Sequence, residues 1–321
     1  MGGDGRTDED WHRDLVERLA TDALKERKRS RRWGIFFKLL TFTYLIAILY
    51  LLLPDEWSGK GMGENKPHTA VVDLEGLIAS GEKASADNVV SGLRDAFEDE
   101  NTEGVVLRIN SPGGSPVQSS YIYKEIQRLR EKYPDIPLYA VVSDICASGG
   151  YYVAAAADRI YVNESSLIGS IGVLINGFGF VDAMDEFGVE RRLMTAGKHK
   201  GILDPFSPMS EFDKAHASKL LGSLHETFIE AVKTGRGDKL KGDDAQLFSG
   251  LFWNGREGIE LGLADEIGNT SYVAREVVGA EETVDFTSKE DPFERLARRF
   301  GAAAGEAFAR ITGFAGGFRL Q

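Results

Sequence analysis

From Thr69 onward the chain alternates short apolar runs with longer stretches whose apolar positions recur at helical spacing. Ala70-Val71-Val72-Asp73-Leu74, Gly104-Val105-Val106-Leu107-Arg108-Ile109 and Pro137-Leu138-Tyr139-Ala140-Val141-Val142 read as buried strands. Between them, 86–98 and 117–132 read as helices, and alternation of this kind predicts a layered α/β architecture. Beyond the third run, Tyr151 to Ala157 is comfortable only as a tightly packed helix. Arg159 to Val162 and Ile168 to Val173 predict short strands, with glycine where backbones approach closely. Helical spacing returns over Glu211 to Thr234, and Asp243 to Phe248 with Gly255 to Leu263 predicts a helical pair that closes the body.

A different pattern precedes the body. Leu39 to Leu53 is an almost uninterrupted apolar run, extended backwards by Trp33 to Phe37 with only Lys38 intruding. Its length reaches the roughly 20 residues needed to cross a bilayer, and a lysine near the end of a span can snorkel to the headgroups. Lys25, Arg27, Lys28, Arg29, Arg31 and Arg32 lie upstream, whereas Pro54-Asp55-Glu56 follow. The positive-inside rule then puts the N-terminus in the cytoplasm and the body outside it. The run is too long for a cleaved secretory signal and no small-residue cleavage site follows closely, so an uncleaved signal anchor is expected. The organisation is a basic cytoplasmic tail at 1–32, the anchor at 33–54, a linker at 55–68, the body at 69–290 and a C-terminal tail at 291–321. In that tail Phe293, Leu296, Phe300, Ala304, Phe308, Ile311 and Phe314 recur near helical period among Arg295, Arg298, Arg299 and Arg310. It reads either as a basic amphipathic helix, lying on a lipid surface or docked on a neighbouring subunit, or as a frayed terminus.

Composition narrows the classes. The 42% apolar content, with 37 glycines and 9 prolines, describes an ordinary globular chain. Net charge is −12, and since 25–38 carries seven basic residues and one acid (+6), the remainder carries −12 − 6 = −18. Nucleic acid is a poor partner for so acidic a body. Cys146 is the single cysteine, which excludes an intramolecular disulfide; small buried cysteines usually pack as apolar residues rather than act as nucleophiles.

The chemistry concentrates around Asp144-Ile145-Cys146-Ala147-Ser148-Gly149-Gly150-Tyr151-Tyr152. This run drops a hydroxyl between an apolar strand and an alanine-rich helix, where free backbone N–H groups favour negative charge. Ser148 is therefore a candidate nucleophile for acyl transfer; the alternative is a serine that merely caps a helix. Asn110-Ser111-Pro112-Gly113-Gly114 follows another strand and exposes adjacent amides that could stabilise an oxyanion, or it is an ordinary strand-to-helix turn. A serine needs a base. Of the five histidines, His12 precedes the anchor, His68 falls in the linker, and His216 and His225 fall on a polar, solvent-facing helix. This leaves His199 in Thr195-Ala196-Gly197-Lys198-His199-Lys200-Gly201. A Ser-His-Asp triad would join it to Asp144 or Asp204, while a Ser-Lys dyad needs a lysine desolvated enough to be neutral.

Together, Asn-Ser-Pro-Gly-Gly, Ala147 to Asp158, Ile-Gly-Ser-Ile-Gly-Val from Ile168, and Gly-Lys-His-Lys-Gly followed by Pro205-Phe206 resemble the signal peptide peptidase A family (peptidase family S49), in its short single-domain form. The resemblance covers Thr69 to about Ile267. It implies a crotonase-like fold shared with the Clp-type proteases, built from spiral ββα units, with Ser148 as nucleophile and Lys200 as general base. It also implies Gly113 and Gly114 at the oxyanion position and Ser170 orienting the lysine. One departure is a glycine after Lys200, where an acidic or polar residue is more usual. No cofactor and no metal are implied.

The implied protein is a serine endopeptidase of the cell membrane, single-pass, with its catalytic domain outside the cytoplasm. It would act on cleaved signal peptides and similar apolar peptides as a homo-oligomer whose sites are shared between subunits. Two rivals are a crotonase-type acyl-CoA enzyme, which the anchor argues against, and a non-catalytic membrane scaffold, which intact Ser148 and Lys200 argue against. Lys198, two residues from Lys200 with the same chemistry, is expected to be dispensable.

Overall fold

The computed structural model describes residues 28–29, 31–46, 48 and 66–288. These fall in two units, of which 65–290 is the body. In the first unit, 31–46 is helical and Trp33, Phe36, Phe37, Leu39 and Leu40 are exposed. Among the described residues no helix is long and apolar enough to cross a membrane; most of 47–54, the far end of the expected anchor, lies outside the described residues, as does the expected amphipathic tail 291–321.

The body is a mixed α/β domain on one eight-stranded sheet. Its elements are β1 (His68–Glu75), α1 (Ala86–Glu98), β2 (Thr102–Ser111), α2 (Pro116–Lys132), β3 (Leu138–Ala147), α3 (Gly149–Ala154), β4 (Arg159–Val162) and β5 (Leu167–Gly169). Then follow α4 (Val181–Glu186), α5 (Glu211–Arg236), α6 (Asp244–Leu247), β6 (Phe252–Asn254), α7 (Gly255–Glu260), β7 (Glu266–Ile267), α8 (Thr270–Tyr272) running into a wide turn at Val273–Val278, and β8 (Thr283–Asp285). The sheet order is β6-β5-β3-β2-β1-β8, with β4 on β3 and β7 on β4. Every pairing is parallel except β5 with β6.

Burial on both faces explains why the strands read as unbroken apolar runs. Val72, Leu74, Leu107, Ile109, Ala140 and Val142 point into the main core with α1, α2 and α3. Val71, Val106 and Val141, one residue out of phase, pack with Tyr161 and Val273 on the other face. The helices start where side chains can take up free amides: Ser85 accepts from the Asn88 amide, Ser115 from that of Gln118 ahead of Pro116, and Ser210 and Asp213 form a capping box.

β3 is the pivot of the site. Its first half pairs with β4 through 139–141 and its second half with β5 through 145–147. Between Val142 and Cys146 it carries two residues more than β2 has between Ile109 and Ser111. The polar groups freed by this bulge find side chains: the Ile145 amide donates to Asn110 Oδ1 at 3.3 Å, and Ser166 Oγ donates to the Ser143 carbonyl.

Four sequence expectations need correction. His68 is not in a linker but is the first residue of β1, buried, with its ring 5.9 Å from that of Phe286. The strand expected over 168–173 stops at Gly169, because Ser170 turns the chain with φ 51° and donates its amide to the Leu251 carbonyl at 2.7 Å. The expected pair 243–248 and 255–263 forms two shorter helices separated by β6, and α4 lies in a stretch without helical spacing. His225 is half-buried, its Nε2 donating to the Ile171 carbonyl at 3.0 Å.

Candidate active site

Ser148 stands between the end of β3 and the start of α3, at the position a capping serine would take. It does not cap: its hydroxyl makes no hydrogen bond to the helix, and its backbone holds φ 52°, ψ −122°. A non-glycine residue at positive φ costs about 1–3 kcal/mol and persists only where its surroundings over-determine it. Here they do. The Ser148 amide donates to the Gly169 carbonyl at 2.8 Å and the Ser148 carbonyl accepts from the Tyr152 amide at 2.9 Å. The hydroxyl is left half-buried with no hydrogen-bond partner among the described residues.

The Gly113-Gly114 strap is pressed against this turn. A Cβ on Gly113 would come within 2.5 Å of the Gly149 nitrogen and 2.8 Å of the Ser148 Cβ; one on Gly114 would meet the Ile78 carbonyl at 2.2 Å. Only glycine fits at either place. The Gly113 amide is already engaged, donating to Ser111 Oγ at 3.1 Å. The amides of Gly114 and Gly149 donate to no acceptor among the described residues, and a Cβ on Gly149 would lie 3.2 Å from the Gly114 nitrogen. Two unspent donors thus lie close together beside the Ser148 turn. The Gly149 donor was missed in the sequence, where the two strap glycines were the visible pair.

Behind the turn the chain is closely packed. Tyr152 packs on Phe228 of α5, ring centroids 5.0 Å apart, and a Cβ on Gly235 would overlap the Ala155 carbonyl. The Tyr151 hydroxyl donates to the Leu263 carbonyl at 2.8 Å. Below it the buried Arg236 guanidinium donates to the Gly262 carbonyl and, at 2.7 Å, to Asp265. Burial alone would raise the Asp265 carboxyl, but Arg236, the Ile160 amide and Lys239 together hold it below its ordinary range.

The candidate bases lie elsewhere. Residues 174–200 form an arm with almost no buried surface, and Lys200 and Lys198 are both exposed. Neither ammonium has an ion pair or hydrogen bond among the described residues, and none joins Lys200 to Ser148. Among the described residues no triad forms either: Asp204 accepts from Ser207 Oγ at 2.7 Å and pairs with Arg191, which hold its carboxyl low against desolvation, while Asp144 faces Asn110. Cys146 is buried and burial pushes its thiol well up, away from the reactive thiolate. Ser170 follows Gly169, so the backbone links it to the Ser148 turn, and its hydroxyl is unpartnered among the described residues.

Comparison with known proteins matches a family model described as peptidase family S49 to residues 130–283. A putative protease of Synechocystis is 30% identical over 202 residues, covering 62% of this chain and 69% of that protein. The chain belongs to peptidase family S49. The mostly parallel α/β sheet fits that family, and so does its likeness to a putative signal peptide peptidase of Enterococcus faecium, 31% identical over 194 residues. A Brucella abortus protein named as a sodium/proton antiporter is 42% identical over 214 residues, 65% of this chain. The S49 chain spans 29% of the Brucella protein and 56% of the Enterococcus one.

Proposed function

We propose that this S49 peptidase is a membrane-anchored serine endopeptidase in which Ser148 attacks the scissile carbonyl and Lys200 of a neighbouring copy is the general base. The observation that carries the reading is the uncapped Ser148 hydroxyl, held at positive φ beside the two free amides of Gly114 and Gly149. A neutral Lys200 amine takes the hydroxyl proton as Oγ bonds to the carbonyl carbon. The resulting oxyanion accepts hydrogen bonds from the Gly114 and Gly149 amides, each worth roughly 3–4 kcal/mol. The lysine then returns its proton to the leaving amine, and water attacks the acyl-enzyme with the same base. Gly113 keeps the strap close enough for this, and Ser170 orients the amine.

Placement of the base on another copy is supported by the arm. Leu174, Phe178, Phe187 and Met194 are 78%, 77%, 81% and 94% exposed, more apolar surface than a lone soluble chain usually shows in one segment. Covering this arm with a second copy would also desolvate Lys200, which a neutral amine requires. The spiral arrangement of the Clp-type proteases, a cytoplasmic N-terminus, an extracytoplasmic body and apolar signal-peptide-like substrates complete the proposal. Substrates of that kind suit a body tethered where apolar peptides leave the bilayer.

The test is covalent labelling with a fluorophosphonate together with cleavage of a quenched apolar peptide. Labelling is expected on Ser148 and lost in Ser148→Ala. Lys200→Ala abolishes cleavage and Lys198→Ala keeps most of it; equal loss in both removes the lysine assignment. Intact labelling in Ser148→Ala removes the nucleophile and returns the scaffold and acyl-CoA readings.

A further inference from the structure

Among the described residues, the Lys200 turn is tied to α5 by the residue next to the lysine. The His199 ring stacks face to face on Phe212, centroids 4.0 Å apart and planes 20° from parallel. Phe212 in turn stacks on His216, one helical turn along α5, at 5.9 Å and 12°. Phe212 belongs to the first turn of α5, whose geometry is fixed by the capping box. Ser210 Oγ accepts from the Asp213 amide at 3.2 Å and Asp213 accepts from the Ser210 amide at 3.1 Å.

The far end of α5 is locked as well. Arg236, its last residue, is buried against Gly262 and Asp265, and Phe228 packs on Tyr152 of the nucleophile helix. Between these ends α5 runs 26 residues, about 39 Å at 1.5 Å per residue. It is therefore a strut joining the Ser148 helix to the turn that carries Lys200. The turn itself is a tight series: the Lys200 amide donates to the Gly197 carbonyl at 3.1 Å and the Ile202 amide to that of His199 at 3.2 Å. A ring fixed at 199 consequently leaves the Lys200 backbone little freedom.

We propose that His199 and Phe212 are positioning residues, an aromatic clamp that indexes the Lys200 turn on α5. This rests on the reading of Lys200 as base. The clamp needs a flat ring at 199, not an imidazole that titrates. Nothing in it requires His199 to exchange a proton with Ser148 or with a carboxylate.

Five single variants of the full chain and one double variant test this: His199→Ala, His199→Phe, Phe212→Ala, Phe212→Tyr, Lys200→Ala and His199→Ala with Phe212→Ala. Each is assayed for kcat and KM on the quenched apolar peptide, with circular dichroism to report folding. His199→Ala and Phe212→Ala should each lower kcat roughly tenfold with KM little changed, since misplacement of a reacting group is felt in the chemical step. The double variant should be no worse than either, because both remove the same contact. His199→Phe and Phe212→Tyr should return to within about twofold of wild type.

His199→Phe as impaired as His199→Ala would overturn the clamp in favour of imidazole chemistry. Multiplicative losses in the double variant, or unchanged kcat in His199→Ala while Lys200→Ala is dead, would also overturn the clamp. Activity retained in Lys200→Ala would instead remove the base assignment and the clamp with it, so the two failures are distinguishable.

Discussion

Replacing Arg236 with methionine tests the anchor beneath the nucleophile helix. The Arg236 side chain is fully buried and that of Asp265 is 16% exposed. Its guanidinium donates to the Gly262 carbonyl at 3.0 and 2.8 Å and to Asp265 Oδ2 at 2.7 Å. Methionine fills most of the volume but leaves the Gly262 carbonyl without this donor and the carboxylate without its main partner. Removing one member of a buried pair costs about 3–5 kcal/mol. Asp265 keeps the Ile160 amide at 2.7 Å and Lys239 at 3.1 Å, so the lower end, about 3 kcal/mol, is expected. For a body of this size that lowers Tm by roughly 6–12 °C. Adding Asp265→Asn keeps an acceptor for the Ile160 amide while removing the stranded charge, and should recover part of the loss. Guanidinium denaturation of the full chain, followed by circular dichroism, measures wild type, Arg236→Met, Asp265→Asn and the double variant. An Arg236→Met variant within about 0.5 kcal/mol of wild type, the ordinary range for a surface substitution, would refute the argument. A double variant less stable than the two single losses combined would do the same.

Other expectations follow from the site and from the surface. Gly149→Ala puts a Cβ within 2.4 Å of Ser119 Oγ and 3.2 Å of the Gly114 nitrogen, so kcat should fall by about 10²-fold with less effect on KM; an unchanged kcat contradicts the oxyanion assignment. Glu125, hydrogen-bonded by Arg128 and by Arg94, has its carboxyl lowered from 4.5 to about 2 despite partial desolvation. Its contribution is thus fully present above about pH 4.5 and lost as pH falls towards about 2, and Glu125→Gln should flatten that limb of an acid-denaturation curve. Asp265, also held low, weakens in the same direction, and an acid limb identical in Asp265→Asn would argue against it. His225→Leu removes the donor to the Ile171 carbonyl and should lower Tm by a few degrees, whereas His225→Gln, which can still donate, should lose less.

The sequence showed the body's first half well because those residues are held by an internal core. The helix at 86–98 has Ser85 ahead of it and apolar positions that meet the sheet, and it lies where the spacing puts it. The bulge in β3 was invisible, since Asn110 and Ser166, which satisfy its backbone, are distant in sequence. Nor could the sequence distinguish a capping Ser148 from a free one: both readings use the same residues, and only φ 52° with no hydrogen bond to the helix separates them. The arm was illegible for a related reason. Phe187 and Met194 face outward in the single chain, so no internal core imposes a period on their spacing, and α4 went unread among them. His225 looked solvent-facing because its partner is a backbone carbonyl, which leaves no trace in a pattern of side chains.

The central claim, a serine on one copy served by a lysine from another, is tested most directly by mixing two inactive chains. Ser148→Ala and Lys200→Ala are coexpressed in equal amounts and assayed on the apolar peptide beside each alone. If neighbouring copies share sites, random assembly pairs an intact serine with an intact lysine at about a quarter of them, and about a quarter of wild-type activity returns. Mixed oligomers with no more activity than either variant alone would contradict the account.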